Sequence, residues 1–177
     1  MLKVRRLLQI DEENINEIIK KLSEVKMGLV IHKVLSNLNI INENTTREDV
    51  KSITHKVLYF YNRNIQYSKE IEEIAEKIYK ASNILYWKFI NKGKIIREYS
   101  EKEIIVVKDN ILSIKRPDKI LEYEDKVILI DFKLHKQEEK YIEQIKEYKD
   151  LLSKIFRKNV ECYIFYISNF ELVEMKW

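Results

Sequence analysis

Apolar residues recur at two different periods along this chain, and the change of period falls near Gly93. Before it they return every three or four positions, as on helices with one buried face. Asp11 opens the first such stretch, which runs to about Val25 with Ile15, Ile18, Ile19 and Leu22 on one side. Gly28 opens a second, GLVIHKVLSNL, ending near Asn39, and Thr45 or Thr46 caps a third, REDVKSITHKVLYFYN. A fourth helix is predicted from about Lys69 to Asn91, with Ile71, Ile74, Ile78, Ala81 and Leu85 as its stripe and Gly93 as its stop.

Beyond Gly93 the apolar runs are shorter and rich in β-branched residues, which predicts strands. Lys94 to Tyr99 and Glu103 to Val107 are two, and a turn at Asp109-Asn110 leads into a third from Leu112 to Tyr123. Val127-Ile128-Leu129-Ile130 is a continuous apolar run, the pattern of a central strand buried on both faces, and it ends at Lys133. Gln137 to Arg157 reads as a strong amphipathic helix, and Val160 to Ile167 and Leu172 to Lys176 close the chain as strands. The pattern describes one α/β domain over residues 1–177, mainly helical over 1–93 and built on a sheet over 94–177.

The chemistry concentrates in IKRPDKILEYEDKVILIDFK, from Ile114 to Lys133. Side chains alternate along a strand, so Asp131 and Lys133 share a face and Phe132 points to the other. A two-residue turn at Glu124-Asp125 sets position i opposite position 249 minus i, and so sets Asp118 opposite Asp131. Two carboxylates at that spacing repel each other unless a hard divalent cation lies between them. The spacing alone leaves two readings open. Either the pair grips a cation that works on a phosphate, or Asp131 merely ends a strand and Asp118 merely follows a proline.

Composition narrows the field. With 177 residues, 45% hydrophobic and 35% charged, the chain suits a globular domain with a real core. Lys and Arg exceed Asp and Glu by 33 to 29, which is compatible with nucleic acid without demanding it. One cysteine, Cys162, excludes a disulfide framework, a cysteine-rich zinc site and a four-cysteine iron–sulfur cluster; within ECYIFYI it reads as a buried small hydrophobe. Two glycines leave no room for a phosphate-binding loop or a dinucleotide fingerprint. No apolar run reaches membrane-spanning length and the N-terminus lacks a signal-peptide core, so the expectation is a cytoplasmic protein without membrane association.

Four further positions carry polar chemistry beside apolar stripes. Gln144 lies on a buried edge of the helix after Lys133, one turn before Tyr148; the pair either faces the site or is a core-edge amide bonded to backbone. His32 borders the apolar face of its helix and is either a metal or water ligand or a satisfied structural histidine. The string HKVL recurs at 55–58, where no glycine precedes it, and His135 reads as a loop residue. Glu98, on a strand expected beside that of Asp118, is a further ligand or an exposed strand carboxylate. Arg116, two residues before Asp118, is a cation placed to meet phosphate.

Taken together, GLVIHKVL, REYS, KRPDKIL, VILIDFK and QIKEY resemble, in their order, the PD-(D/E)XK nuclease superfamily, in particular the RecB-like nuclease domain found at the C-terminus of bacterial helicase–nucleases. The resemblance spans Gly28 to Tyr148 and continues through the final strands. It implies a restriction-endonuclease-like core, a mixed sheet flanked by helices, and a metal-dependent DNA nuclease of DNA repair working with a helicase. It implies that Asp118, Asp131 and the Phe132 carbonyl hold Mg²⁺ or Mn²⁺, with His32 or Glu98 completing the shell. Lys133 would orient or deprotonate the attacking water and stabilise the transition state, Gln144, Tyr148 and Arg116 would place the strand, and the products would carry a 3′-hydroxyl and a 5′-phosphate. The chain departs from the pattern at Ser113, where many relatives have glycine, and lacks both the four-cysteine cluster and a helicase motor. That suggests a nuclease module acting in trans with a helicase, in an oligomer, or as a fragment of a longer polypeptide. The alternatives are a non-catalytic DNA-binding scaffold on the same fold and a restriction-type endonuclease.

Overall fold

The computed structural model describes residues 28–35, 38, 45–61, 68–90, 93–108, 110–134 and 139–177. The predicted helix over 11–25 and His135 lie outside the described residues. Helix α1 occupies residues 28–35, and α2 (Arg47–Tyr61) and α3 (Ser68–Lys88) follow. Then come β1 (Arg97–Ser100), β2 (Ile104–Lys108), β3 (Ile111–Lys115), β4 (Lys119–Glu122), β5 (Lys126–Lys133), α4 (Glu139–Phe156), β6 (Asn159–Tyr166) and β7 (Glu171–Met175).

Local signals set the ends of these elements. Thr46, rather than Thr45, caps α2: its hydroxyl accepts the Asp49 amide at 3.2 Å, and the Asp49 carboxylate accepts the Thr46 amide at 2.8 Å. That is a reciprocal capping box with aspartate in the glutamate position. Arg157 ends α4 in the left-handed region, φ 54°, with its amide bonded to the Ser153 carbonyl at 3.0 Å. Asn110, at φ 62°, makes the predicted turn between β2 and β3.

The main sheet has the order β1-β4-β5-β6-β7, and only β5 and β6 run parallel, joined through α4. This is a mixed five-stranded sheet in an α/β fold. Alternation along the strands divides the core into two layers. Ile128, Ile130, Phe132, Leu121, Tyr163 and Phe165 pack with α1, α2 and α3, while Val127, Leu129, Ile120, Val160, Cys162 and Ile164 pack with Ile145, Tyr148 and Leu152 of α4. The helices of the first half therefore cover one face of the sheet and α4 covers the other. Near the end of α4 Ile155 is exposed, and Phe156 packs inward, 5.9 Å from the Tyr99 ring. No helix among the described residues is long and apolar enough to cross a membrane.

The strand expected from Leu112 to Tyr123 is broken in two. Pro117 has no amide proton, so the ladder cannot run through it. Upstream of it, β3 pairs with β2 in a separate two-stranded ribbon; downstream, β4 joins the main sheet. One face of the ribbon carries the cross-strand pairs Ile105–Ile114 and Val107–Leu112, all exposed.

At the far end of the sheet, the buried Tyr123 hydroxyl donates to the Phe89 carbonyl at 2.8 Å and fastens α3 to the β4–β5 turn. Tyr123→Phe leaves that carbonyl unpaired and is expected to cost about 1–2 kcal/mol. Urea unfolding checks this: the midpoint falls and the slope stays the same.

Candidate functional site

The register that matters most is that of β4 on β5. Lys119 pairs with Ile130, Ile120 with Leu129, Leu121 with Ile128 and Glu122 with Val127, and the Tyr123 amide closes the turn on the Lys126 carbonyl at 2.8 Å. Each pair sums to 249, the spacing that a two-residue turn dictates. Asp118 stands one residue beyond the last ladder pair, at the level of Asp131, where β4 has ended in a bend. Freed from the ladder, its carboxylate reaches across and accepts the Phe132 amide at 2.7 Å. That hydrogen bond fixes Asp118 at the C-terminal end of β5.

Asp131 is 2% exposed. Its Oδ2 lies 2.5 Å from the Lys133 ammonium yet accepts no hydrogen bond of good geometry, so a buried carboxylate oxygen keeps an open lone pair. Burial, and then the charge of Asp118, push the Asp131 carboxyl up to about 6 against the pull of Lys133. Burial would lower the Lys133 pKa, but the negative charge of Asp131, and then of Asp118, outweighs it and raises the ammonium above its ordinary value.

Helix α4 holds Lys133 from the other side. Lys133 donates to the Gln144 side-chain carbonyl at 3.3 Å, the Gln144 amide donates to the Tyr148 hydroxyl at 3.0 Å, and the Lys133 ammonium stands 4.5 Å above the Tyr141 ring. Gln144 and Tyr148 are one helical turn apart, which lets a single face of α4 supply the whole chain of contacts. Tyr141 is the member that sequence reasoning left out. Its signal was its place on the same face of α4 as Gln144 and Tyr148, three residues before Gln144.

His32 reaches the site from α1. Its Nδ1 is 3.4 Å from the Asp118 carboxylate and its ring meets Phe132 edge-on at 6.3 Å. Burial lowers the imidazole pKa, but the Asp118 hydrogen bond and charge, with the Asp131 charge, raise it above the ordinary value overall.

The structure thus gathers His32, Asp118, Asp131, Phe132, Lys133, Gln144 and Tyr148 at one end of β5. Two predicted residues stand apart. Glu98 pairs in register with Leu121 and forms an ion pair with Lys119 on the α1–α3 face, away from Asp131. Arg116 is exposed at the base of the ribbon, paired with Glu103. Among the described residues no three His, Cys, Asp or Glu side chains converge as a closed metal cage. Two neighbouring carboxylates, one with a buried oxygen that accepts no hydrogen bond, nonetheless fit a hard cation such as Mg²⁺, which takes one or two protein carboxylates and fills its shell with water and phosphate oxygens.

No protein-family model matches this chain, and no curated protein is significantly similar to it.

Proposed function

We propose that this chain is a metal-dependent DNA nuclease on a restriction-endonuclease-like core. The observation that carries the proposal is the pairing of a buried, open-sided Asp131 with Asp118 and an ammonium at 2.5 Å. Such a cluster is costly without a cation and an anion to complete it. Asp118, Asp131 and the Phe132 carbonyl would hold Mg²⁺ or Mn²⁺, whose chemistry is to neutralise charge on a scissile phosphate and to acidify water.

The chain's own groups do the rest. Lys133, held protonated between Asp131 and Gln144, directs its positive charge at a phosphate oxygen as negative charge grows there. Gln144, oriented by Tyr148, fixes the ammonium, and Tyr141 supports it from below. His32 holds Asp118 in place from the α1 side. In the reaction implied, water forms a bond to phosphorus, the bond to the 3′ oxygen breaks, and a proton passes to that oxygen, leaving a 5′-phosphate and a 3′-hydroxyl. DNA is the proposed substrate and a helicase the proposed partner; both rest on the resemblance of the motif strings.

The test is incubation of the full chain with linear and closed-circular DNA and Mg²⁺ or Mn²⁺. Cutting of linear DNA that stops with a chelator supports the nuclease reading. Cutting of the closed circle assigns the endonuclease mode. Retention of DNA without cutting at any protein concentration supports the scaffold instead.

A pH dependence follows from Asp131. With its pKa raised to about 6, its protonated form gives the metal-free protein stability that is fully present below about pH 4 and is lost as pH rises through 6. A cation competes with that proton. Millimolar Mg²⁺ is therefore expected to raise Tm little near about pH 5 and more near about pH 8. Thermal scans at both values, with and without the metal, measure the difference.

A further inference from the structure

Lys119 is the least exposed lysine described, at 7%, and it does more than pair with Glu98. Its ammonium also donates to the Leu38 carbonyl at 3.1 Å. The Leu38 amide donates back to the Val34 carbonyl at 2.9 Å, so the accepting residue is itself tied to the last turn of α1. Lys119 is the residue after Asp118, and His32 lies on α1.

We propose that the Glu98–Lys119 pair is a positioning device: Lys119 clamps the end of α1 and so sets the His32 imidazole against Asp118. The activity arm of this proposal rests on the nuclease reading; the positioning itself does not. Two physical points support it. A buried ion pair adds little net stability, because desolvation offsets its attraction, and fixing one arrangement among several is its best-attested use. The rest of the α1 interface is poorly suited to that task. Ile31, Val34 and Leu35 meet the sheet through non-directional apolar contact, and a cavity of about 20 Å³ lined by Leu35, Leu38, Ser82, Leu121 and Phe132 adjoins the pair. Two other ties among the described residues, His32 to Asp118 at 3.4 Å and Lys33 to Glu101 at 3.2 Å, are more exposed. A directional bond from a buried ammonium resists the sliding that apolar packing allows.

Two double variants test the clamp. Glu98→Met with Lys119→Met replaces the pair by apolar groups of similar length. Glu98→Lys with Lys119→Glu keeps the charges but puts at position 119 a carboxylate that cannot donate to Leu38. The readout is the ring resonances of His32 in histidine-labelled protein, assigned among the three histidines with His32→Gln. Both variants are expected to keep Tm close to the parent, to displace the His32 resonances, and to lose about 10-fold or more of any metal-dependent DNA cutting. An unmoved His32 in either folded variant overturns the clamp, as does a swap that restores the parent resonances. If neither variant folds, the parent protein decides: slowly exchanging ammonium protons on Lys119 uphold the clamp and their absence overturns it. Displaced His32 resonances in variants of a protein that cuts no DNA uphold the clamp and overturn the nuclease reading.

Discussion

Asp131→Asn is expected to lower Mg²⁺-dependent DNA cleavage by about 10³-fold or more, the order of effect that follows loss of a group stabilising transition-state charge. The same substitution is expected to leave the metal-free protein at neutral pH no less stable than the parent. Burial and Asp118 together disfavour the Asp131 anion, and an amide of the same shape carries no charge to desolvate or repel. Lys133 keeps the Gln144 carbonyl and the Tyr141 ring face as partners. Loss of activity without loss of stability is the mark of a residue retained for chemistry. Single-turnover cleavage assays beside urea unfolding of the metal-free protein measure both halves.

Lys133→Met is expected to reduce cleavage by a comparable factor, about 10²–10⁴-fold, but with the opposite effect on stability. Removing the ammonium strands Asp131, 2% exposed, without the cation 2.5 Å away. Breaking a buried pair from one side costs about 3–5 kcal/mol, here limited by the ability of Asp131 to take up a proton. The variant should therefore unfold earlier in urea, and Mg²⁺ should restore part of the loss because a bound cation replaces the missing charge. The two variants also separate in metal uptake: calorimetry should show Mg²⁺ binding kept in Lys133→Met and lost in Asp131→Asn.

The sequence carried the site's register because two independent constraints agreed. The apolar run Val127 to Ile130 fixed which residues of β5 point where, and the Glu124-Asp125 turn fixed the partner strand, so the 249-sum pairing could be written down in advance. Gln144 and Tyr148 were legible for a similar reason, since helical spacing puts them on one face and that face proved to be the one over Lys133. Glu98 shows where legibility ends. Its neighbour β4 was foreseen, but its face depends on the register of β1 against β4, which no turn dictates because β2 and β3 intervene. The ribbon itself was hidden because one proline inside an otherwise strand-like run splits it between two sheets. Lys119 was hidden because a lysine in a strand reads as a solvated edge; only the tertiary meeting of Glu98 and the end of α1 buries it.

The central claim is that a divalent cation is held between Asp118 and Asp131. Titration of the full chain with Mn²⁺, followed by the electron paramagnetic resonance signal of the free ion, tests it most directly. The account predicts saturable Mn²⁺ uptake by the parent protein, competed by Mg²⁺ and lost in Asp131→Asn. No uptake by the parent, or equal uptake by the variant, would contradict it.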